Sequence, residues 1–126
     1  MPKINKKILI VEDDKSFLWI LNQSFVEEGF LVIFARDGEE GLKLVETEKP
    51  DLILLDILLP KMDGLTMAKK LKEKGLKPQI IFLTNLKDSD HISEAMEIFK
   101  EIDYIIKSDL GIDQIIKRVK ERLGIK

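Results

Sequence analysis

The 126-residue sequence contains no cysteine. Disulfides, thiolate metal sites and cysteine nucleophiles are therefore excluded. It also has no extended apolar stretch, and 35% of its residues are charged, which argues against a membrane protein. The N-terminal "MPKINKKILIVEDD" offers only "ILIV" before acids intervene, too little for a signal peptide or a membrane span. Acidic and basic residues nearly balance: a formal net charge of −2 gives no bias toward nucleic acid or acidic lipid. No internal repeat, low-complexity tract or linker is present. The single histidine, His91, reads as a surface residue. What is there suits one domain and falls short of two, with 44% hydrophobic residues to build a core. The expectation is a cytoplasmic, soluble, single domain over residues 1–126.

Short, almost wholly apolar runs recur: "KILIV" (7–11), "FLVIFA" (30–35), "DLILLD" (51–56), "QIIFLT" (79–84) and "DYIIK" (103–107). Most lack polar alternation, the pattern of strands buried on both faces of a parallel sheet. Helical spacing fills the gaps. Phe17, Leu21 and Phe25 share a stripe, as do Leu42 and Val45, then Leu65, Ala68 and Leu71. "SEAMEIF" offers Ala95, Met96 and Phe99, and the last segment offers Ile112, Ile115, Ile116, Val119 and Leu123. Gly29, Gly75 and Gly124 fall just past helix ends, where a left-handed residue suits glycine. Five strands alternating with five helices predict a doubly wound α/β sheet, order 2-1-3-4-5, with helices on both faces. Ligands in such sheets bind beyond the carboxyl ends of the strands, where the strand order reverses.

The strand ends carry the chemistry. The first ends in Glu12, Asp13 and Asp14, the third in Asp56, the fourth in Thr84-Asn85 and the fifth in Lys107-Ser108. Carboxylates crowded into one crevice repel, so the site needs a cation. An open, all-oxygen site suits Mg²⁺, which shares its remaining positions with water and phosphate oxygens. Lys107 is a point charge suited to a phosphoryl group, Thr84 can donate a hydrogen bond to one, and an Asp56 oxygen can attack phosphorus. Taken singly, each has a plainer reading. Asp56 can merely end a strand, Thr84 fits any strand, Lys107 suits an exposed strand end, and Asp63-Gly64 reads as a turn. Asp14 reads as a helix N-cap.

In order and spacing, "ILIVEDD", "LILLDILLPKMDG", "IIFLT" and "YIIK" resemble the receiver domain of two-component response regulators. The resemblance covers essentially the whole chain. It implies a flavodoxin-like fold and a phosphoacceptor signalling switch, with Asp56 as phosphoacceptor. Glu12, Asp13, Asp56 and the backbone carbonyl of Leu58 would hold Mg²⁺. Thr84 and Lys107 would contact the phosphoryl oxygens, and Tyr104 would turn inward as Thr84 moves. The donor would be a histidine kinase or a histidine phosphotransfer protein. The response would be a changed surface on the fourth helix, fifth strand and fifth helix. Such a protein is not a conventional enzyme; it catalyses its own phosphorylation and dephosphorylation. With no output domain after "RLGIK", the expected target is a further protein, not nucleic acid or membrane.

Three positions depart from the family pattern. Ser108 replaces the proline that usually follows the strand-five lysine through a cis bond, which costs about 2.5–4 kcal/mol at a non-proline residue. Asn85 stands where a small residue is usual, and Lys100-Glu101 replaces Gly-Ala. Ser108 and Asn85 keep a pseudo-receiver in play, although the acid–Thr–Lys set is complete. An aspartate-nucleophile phosphatase would want an acid at Leu58, and a flavin carrier would meet repulsion from "EDDKS". Trp19 points away from the Phe17–Leu21–Phe25 stripe, beside Val26. It reads either as a peripheral packing contact or as a docking patch for the phosphodonor.

Overall fold

The apolar runs become five strands: β1 (Lys7–Val11), β2 (Leu31–Ala35), β3 (Leu52–Asp56), β4 (Gln79–Thr84) and β5 (Asp103–Ile106). They form one parallel sheet in the order β2-β1-β3-β4-β5. The structure, a computed structural model, describes residues 3–85, 90, 93–94, 97 and 103–125. Four helices are described rather than the five expected: α1 (Lys15–Glu27), α2 (Gly38–Glu48), α3 (Gly64–Glu73) and α4 (Ile112–Arg122). Ala95, Met96 and Phe99 of the expected fourth helix lie outside the described residues, as do His91 and Lys100-Glu101.

Alternate side chains of each strand feed opposite faces of the sheet. Ile8, Ile10, Leu52, Leu54, Ile81, Leu83 and Ile105 pack under α1 and α4. Leu9, Val11, Ile53, Leu55 and Phe82 pack under α2 and α3. β3 is buried along its whole length because it has a strand on each side and helices above and below. The expectation of two-sided burial fails at β2, where Leu31 and Phe34 are exposed. β2 pairs only with β1, so the edge leaves part of an equally apolar sequence uncovered.

The α1 stripe is centred on Leu18, Leu21 and Phe25, with Phe17 at its half-buried margin. Three of the four described helix starts follow one rule. Asp14, Asp37 and Asp63 are the N-caps of α1, α2 and α3, each accepting a backbone N–H of the first turn. Gly29, Gly75 and Gly124 have positive φ, as their places after helix ends require.

Gly64 is more than half of a turn. A Cβ there would stand 2.1 Å from the Asp56 backbone carbonyl oxygen, and the Gly64 N–H donates to the Ile57 carbonyl at 2.8 Å. The first residue of α3 thus lies directly on the backbone that carries Asp56, which only glycine allows. Gly64→Ala is expected to lower stability by about 1–3 kcal/mol, the usual cost of forcing extra volume into a packed contact. Urea denaturation would measure it. Stability within experimental error of wild type would show that the contact can relax.

Candidate functional site

β1, β3, β4 and β5 finish nearly in step. Val11 is in register with Leu55, Asp56 with Leu83, and Thr84 with Ile106. The residues at these ends, Glu12, Asp56, Thr84 and Lys107, therefore emerge together at the carboxyl edge, at the β1–β3 reversal. Backbone bonds hold the edge in place: Ile57 N–H to the Leu83 carbonyl at 3.2 Å, and Lys107 N–H to the Thr84 carbonyl at 2.8 Å.

The Lys107 ammonium lies 2.6 Å from Glu12 Oε1 and 2.9 Å from Asp56 Oδ2. Asp56 Oδ1 accepts the Leu58 N–H at 3.3 Å, and Glu12 Oε2 accepts the Asp14 N–H at 3.2 Å. Glu12 is fully buried and Asp56 nearly so, whereas Asp13 is exposed. Arg36 Nη2 donates to the Asp13 carbonyl at 3.3 Å and ties that loop to the end of β2. Thr84 is buried, and its hydroxyl donates to the Asn85 carbonyl at 3.2 Å. Tyr104 is exposed on β5. Leu58 and Asn85 are exposed as well, and the Lys107–Ser108 bond is trans. Trp19 is 66% exposed, on the outward side of α1 with Val26.

One ammonium does not balance two buried carboxylates. Burial raises Glu12 to about 7, and the Asp56 carboxylate adds to that effect while Lys107 opposes it. Burial would lower the Lys107 ammonium, but Glu12 and Asp56 together outweigh it and raise it above its ordinary value. Glu12 Oε1 is buried with no partner that satisfies hydrogen-bond geometry, and the Lys107 ammonium beside it pairs with it as an ion. One carboxylate oxygen from each of Glu12, Asp13 and Asp56 lies within 4.8 Å of the others. An orphaned buried oxygen within an all-oxygen donor set fits a hard divalent cation such as Mg²⁺.

The family model described as the response regulator receiver domain matches residues 8–120. The chain therefore belongs to the receiver domains of two-component response regulators. It is 41% identical over 115 residues to the alkaline phosphatase synthesis transcriptional regulatory protein PhoP of Bacillus subtilis, covering 91% of this chain and 43% of that protein. The chain thus spans about half the length, or less, of several curated relatives that it matches. It is 35% identical over 123 residues to sporulation initiation phosphotransferase F of Bacillus subtilis, covering 98% of each. The Francisella response regulator 1452 receiver domain superposes with a TM-score of 0.81 at 31% identity, over 92% of this chain and 94% of that one.

Sequence reasoning named the polar residues that meet here. It missed Gly64, read as a turn, and Phe17, read as part of the core stripe. The signal for Gly64 was its place directly after a capping aspartate. For Phe17 it was an aromatic residue in the first turn after an acidic strand end.

The raised Glu12 gives a pH signature. In the metal-free protein the folded state keeps a proton that the unfolded chain releases above its ordinary value of 4.5, up to about 7. The folded state then binds more protons, so this contribution is full below 4.5 and falls as pH rises toward 7. Glu12→Gln cannot release that proton. The stability of wild type relative to Glu12→Gln is expected to decline across this window, measured by denaturation in a chelating buffer. A pH-independent difference would contradict the assignment.

Proposed function

We propose that this protein is a phosphoacceptor switch in which Asp56 receives a phosphoryl group from a phosphohistidine on a histidine kinase or histidine phosphotransfer protein. The observation that carries this reading is the buried Asp56 carboxylate, held at a rigid strand end beside Lys107 and Glu12. An Asp56 oxygen forms the new bond to phosphorus while the phosphorus–nitrogen bond breaks, and its electron pair returns to the imidazole. When bound by Glu12, Asp13, Asp56 and the Leu58 carbonyl, Mg²⁺ would supply positive charge against the phosphoryl oxygens. Lys107 supplies a second positive charge, and the Leu58 N–H orients the carboxylate. The rest is positioning, as in phosphoryl transfer generally.

The phosphoryl group carries roughly −1.5 to −2 charges near neutral pH, in place of the single charge of the Asp56 carboxylate. Thr84 would donate to a phosphoryl oxygen, Tyr104 would follow it inward, and the surface around β5 and α4 would change. A protein partner reads that surface. The protein is a cytoplasmic signalling component that catalyses only its own phosphorylation and dephosphorylation. The receiver domain of this chain spans 98% of the Bacillus phosphotransferase, a relative of matching length. That relative also supports a second reading, in which the phosphoryl group is passed on to another protein.

Incubation with acetyl phosphate and Mg²⁺ tests the central claim by intact-mass spectrometry. Wild type is expected to gain one phosphoryl group, lost on chelation, and Asp56→Asn none. Labelling of the Asp56→Asn variant under the same conditions would overturn the assignment.

Trp19 is proposed as part of the donor's docking surface, because it is a large apolar side chain left 66% exposed on α1. Trp19→Ala is expected to slow transfer from the cognate phosphohistidine protein while leaving labelling by acetyl phosphate at the wild-type rate. Equal slowing with both donors would instead mark a folding role.

A further inference from the structure

Lys107 has a third neighbour that is not an acid. Its ammonium lies 5.2 Å from the centroid of the Phe17 ring, over the ring face. An aromatic face attracts a cation through its quadrupole, most strongly where water is partly excluded. Here the lysine side chain is only 18% exposed, and Phe17 is half-buried against the core beneath α1 and α4.

The ring is held in place by the acidic segment itself. Asp14 Oδ1 accepts the Phe17 N–H at 3.3 Å and the Ser16 N–H at 3.0 Å, which fixes the first turn of α1. The segment that presents Glu12 and Asp13 thus also presents the ring. Lys107 starts at the end of β5 and must extend a flexible four-carbon stem past β4 to reach carboxylates on β3 and after β1. Side-chain entropy opposes holding it there. Its carboxylate partners change during the cycle: a cation would share their charge, and Asp56 loses its own on phosphorylation. The ring changes in none of these states.

We propose that Phe17 is a positioning residue for Lys107, its ring face holding the ammonium over the Asp56 carboxylate throughout the phosphorylation cycle. This rests on the reading of Asp56 as phosphoacceptor. A residue needed only for packing could be replaced by an aliphatic side chain of similar size, whereas a cation–π partner must remain aromatic.

The test compares Phe17→Leu, Phe17→Tyr, Lys107→Met and the Phe17→Leu/Lys107→Met double variant, labelled by acetyl phosphate with Mg²⁺. Phe17→Leu is expected to slow labelling about three- to tenfold, the range a partly desolvated cation–π contact supplies. Phe17→Tyr should stay near the wild-type rate, and the double variant should be no slower than Lys107→Met alone. A wild-type rate in Phe17→Leu, equal slowing in Phe17→Tyr, or the full Phe17→Leu factor persisting without the lysine would each overturn the proposal.

A second readout needs neither metal nor phosphodonor. The Lys107 ε-methylene protons should resonate upfield in wild type and Phe17→Tyr from the ring current, and return to their ordinary position in Phe17→Leu. No movement in Phe17→Leu overturns the proposal. Should wild type take no label, the phosphoacceptor reading fails and this resonance alone decides the role of Phe17. Phe17→Met replaces Phe17→Leu if thermal melts show the latter unfolded.

Discussion

Two carboxylates, one fully buried and one nearly so, face a single ammonium, and the rest of the site follows from that imbalance. Removing a charge from water costs several kcal/mol per ion even after relaxation, so an uncompensated buried carboxylate is strongly disfavoured. Glu12 and Asp56 share Lys107, and Glu12 responds by holding its proton to about 7. With Asp13 included, three carboxylates against one ammonium leave an excess of two negative charges, which one divalent cation would cancel. Proton and cation are thus alternative solutions to one electrostatic problem.

A site under that repulsion needs a scaffold that cannot give way. β3 supplies it, with β1 on one side, β4 on the other and every residue buried. The close approach of Gly64 to the Asp56 carbonyl fixes the strand end from the side of α3. On the far side of the following loop, Gly38 does the same for α2, since a Cβ there would stand 2.1 Å from the Met62 carbonyl oxygen. Two helix starts therefore brace the loop that carries Leu58. Small residues at these contacts give rigidity, because backbone meets backbone with no flexible side chain between.

Most of this was legible in the sequence because the signals were local. A run such as "DLILLD" has few alternatives to a buried parallel strand, and its last residue must lie at the carboxyl edge. Four such ends in order placed Glu12, Asp56, Thr84 and Lys107 together without any knowledge of their distances. Less legible was whatever depended on neighbours in space. "FLVIFA" is as apolar as the inner strands, yet β2 lies at an edge and leaves Leu31 and Phe34 exposed. Phe17 fits a hydrophobic stripe at helical spacing. Only the approach of Lys107 from β5, 90 residues later in the chain, gives its ring a second neighbour. Gly64 looks like any turn glycine until the Asp56 carbonyl is found against it.

The same arrangement divides the site into a fixed part and a part that can respond. Asp56 sits on the innermost strand and Glu12 directly after its neighbour β1, both pinned by pairing on two sides. Lys107 is the group that comes from β5, a four-residue strand paired on one side only, to β4. Elements with fewer buried contacts and a single pairing partner open and shift at lower free energy than the strands they flank. A change of charge at Asp56 would act on both parts, and of the two the β5 edge is the one paired on a single side. The backbone bond from Lys107 to Thr84 means that displacement of the lysine is felt at the end of β4 as well. On the proposed reading, an Asp56 nucleophile on a rigid strand with its counter-ion on an edge strand would convert a local change of charge into displacement at one edge of the sheet, leaving the core of β1 and β3 unaltered.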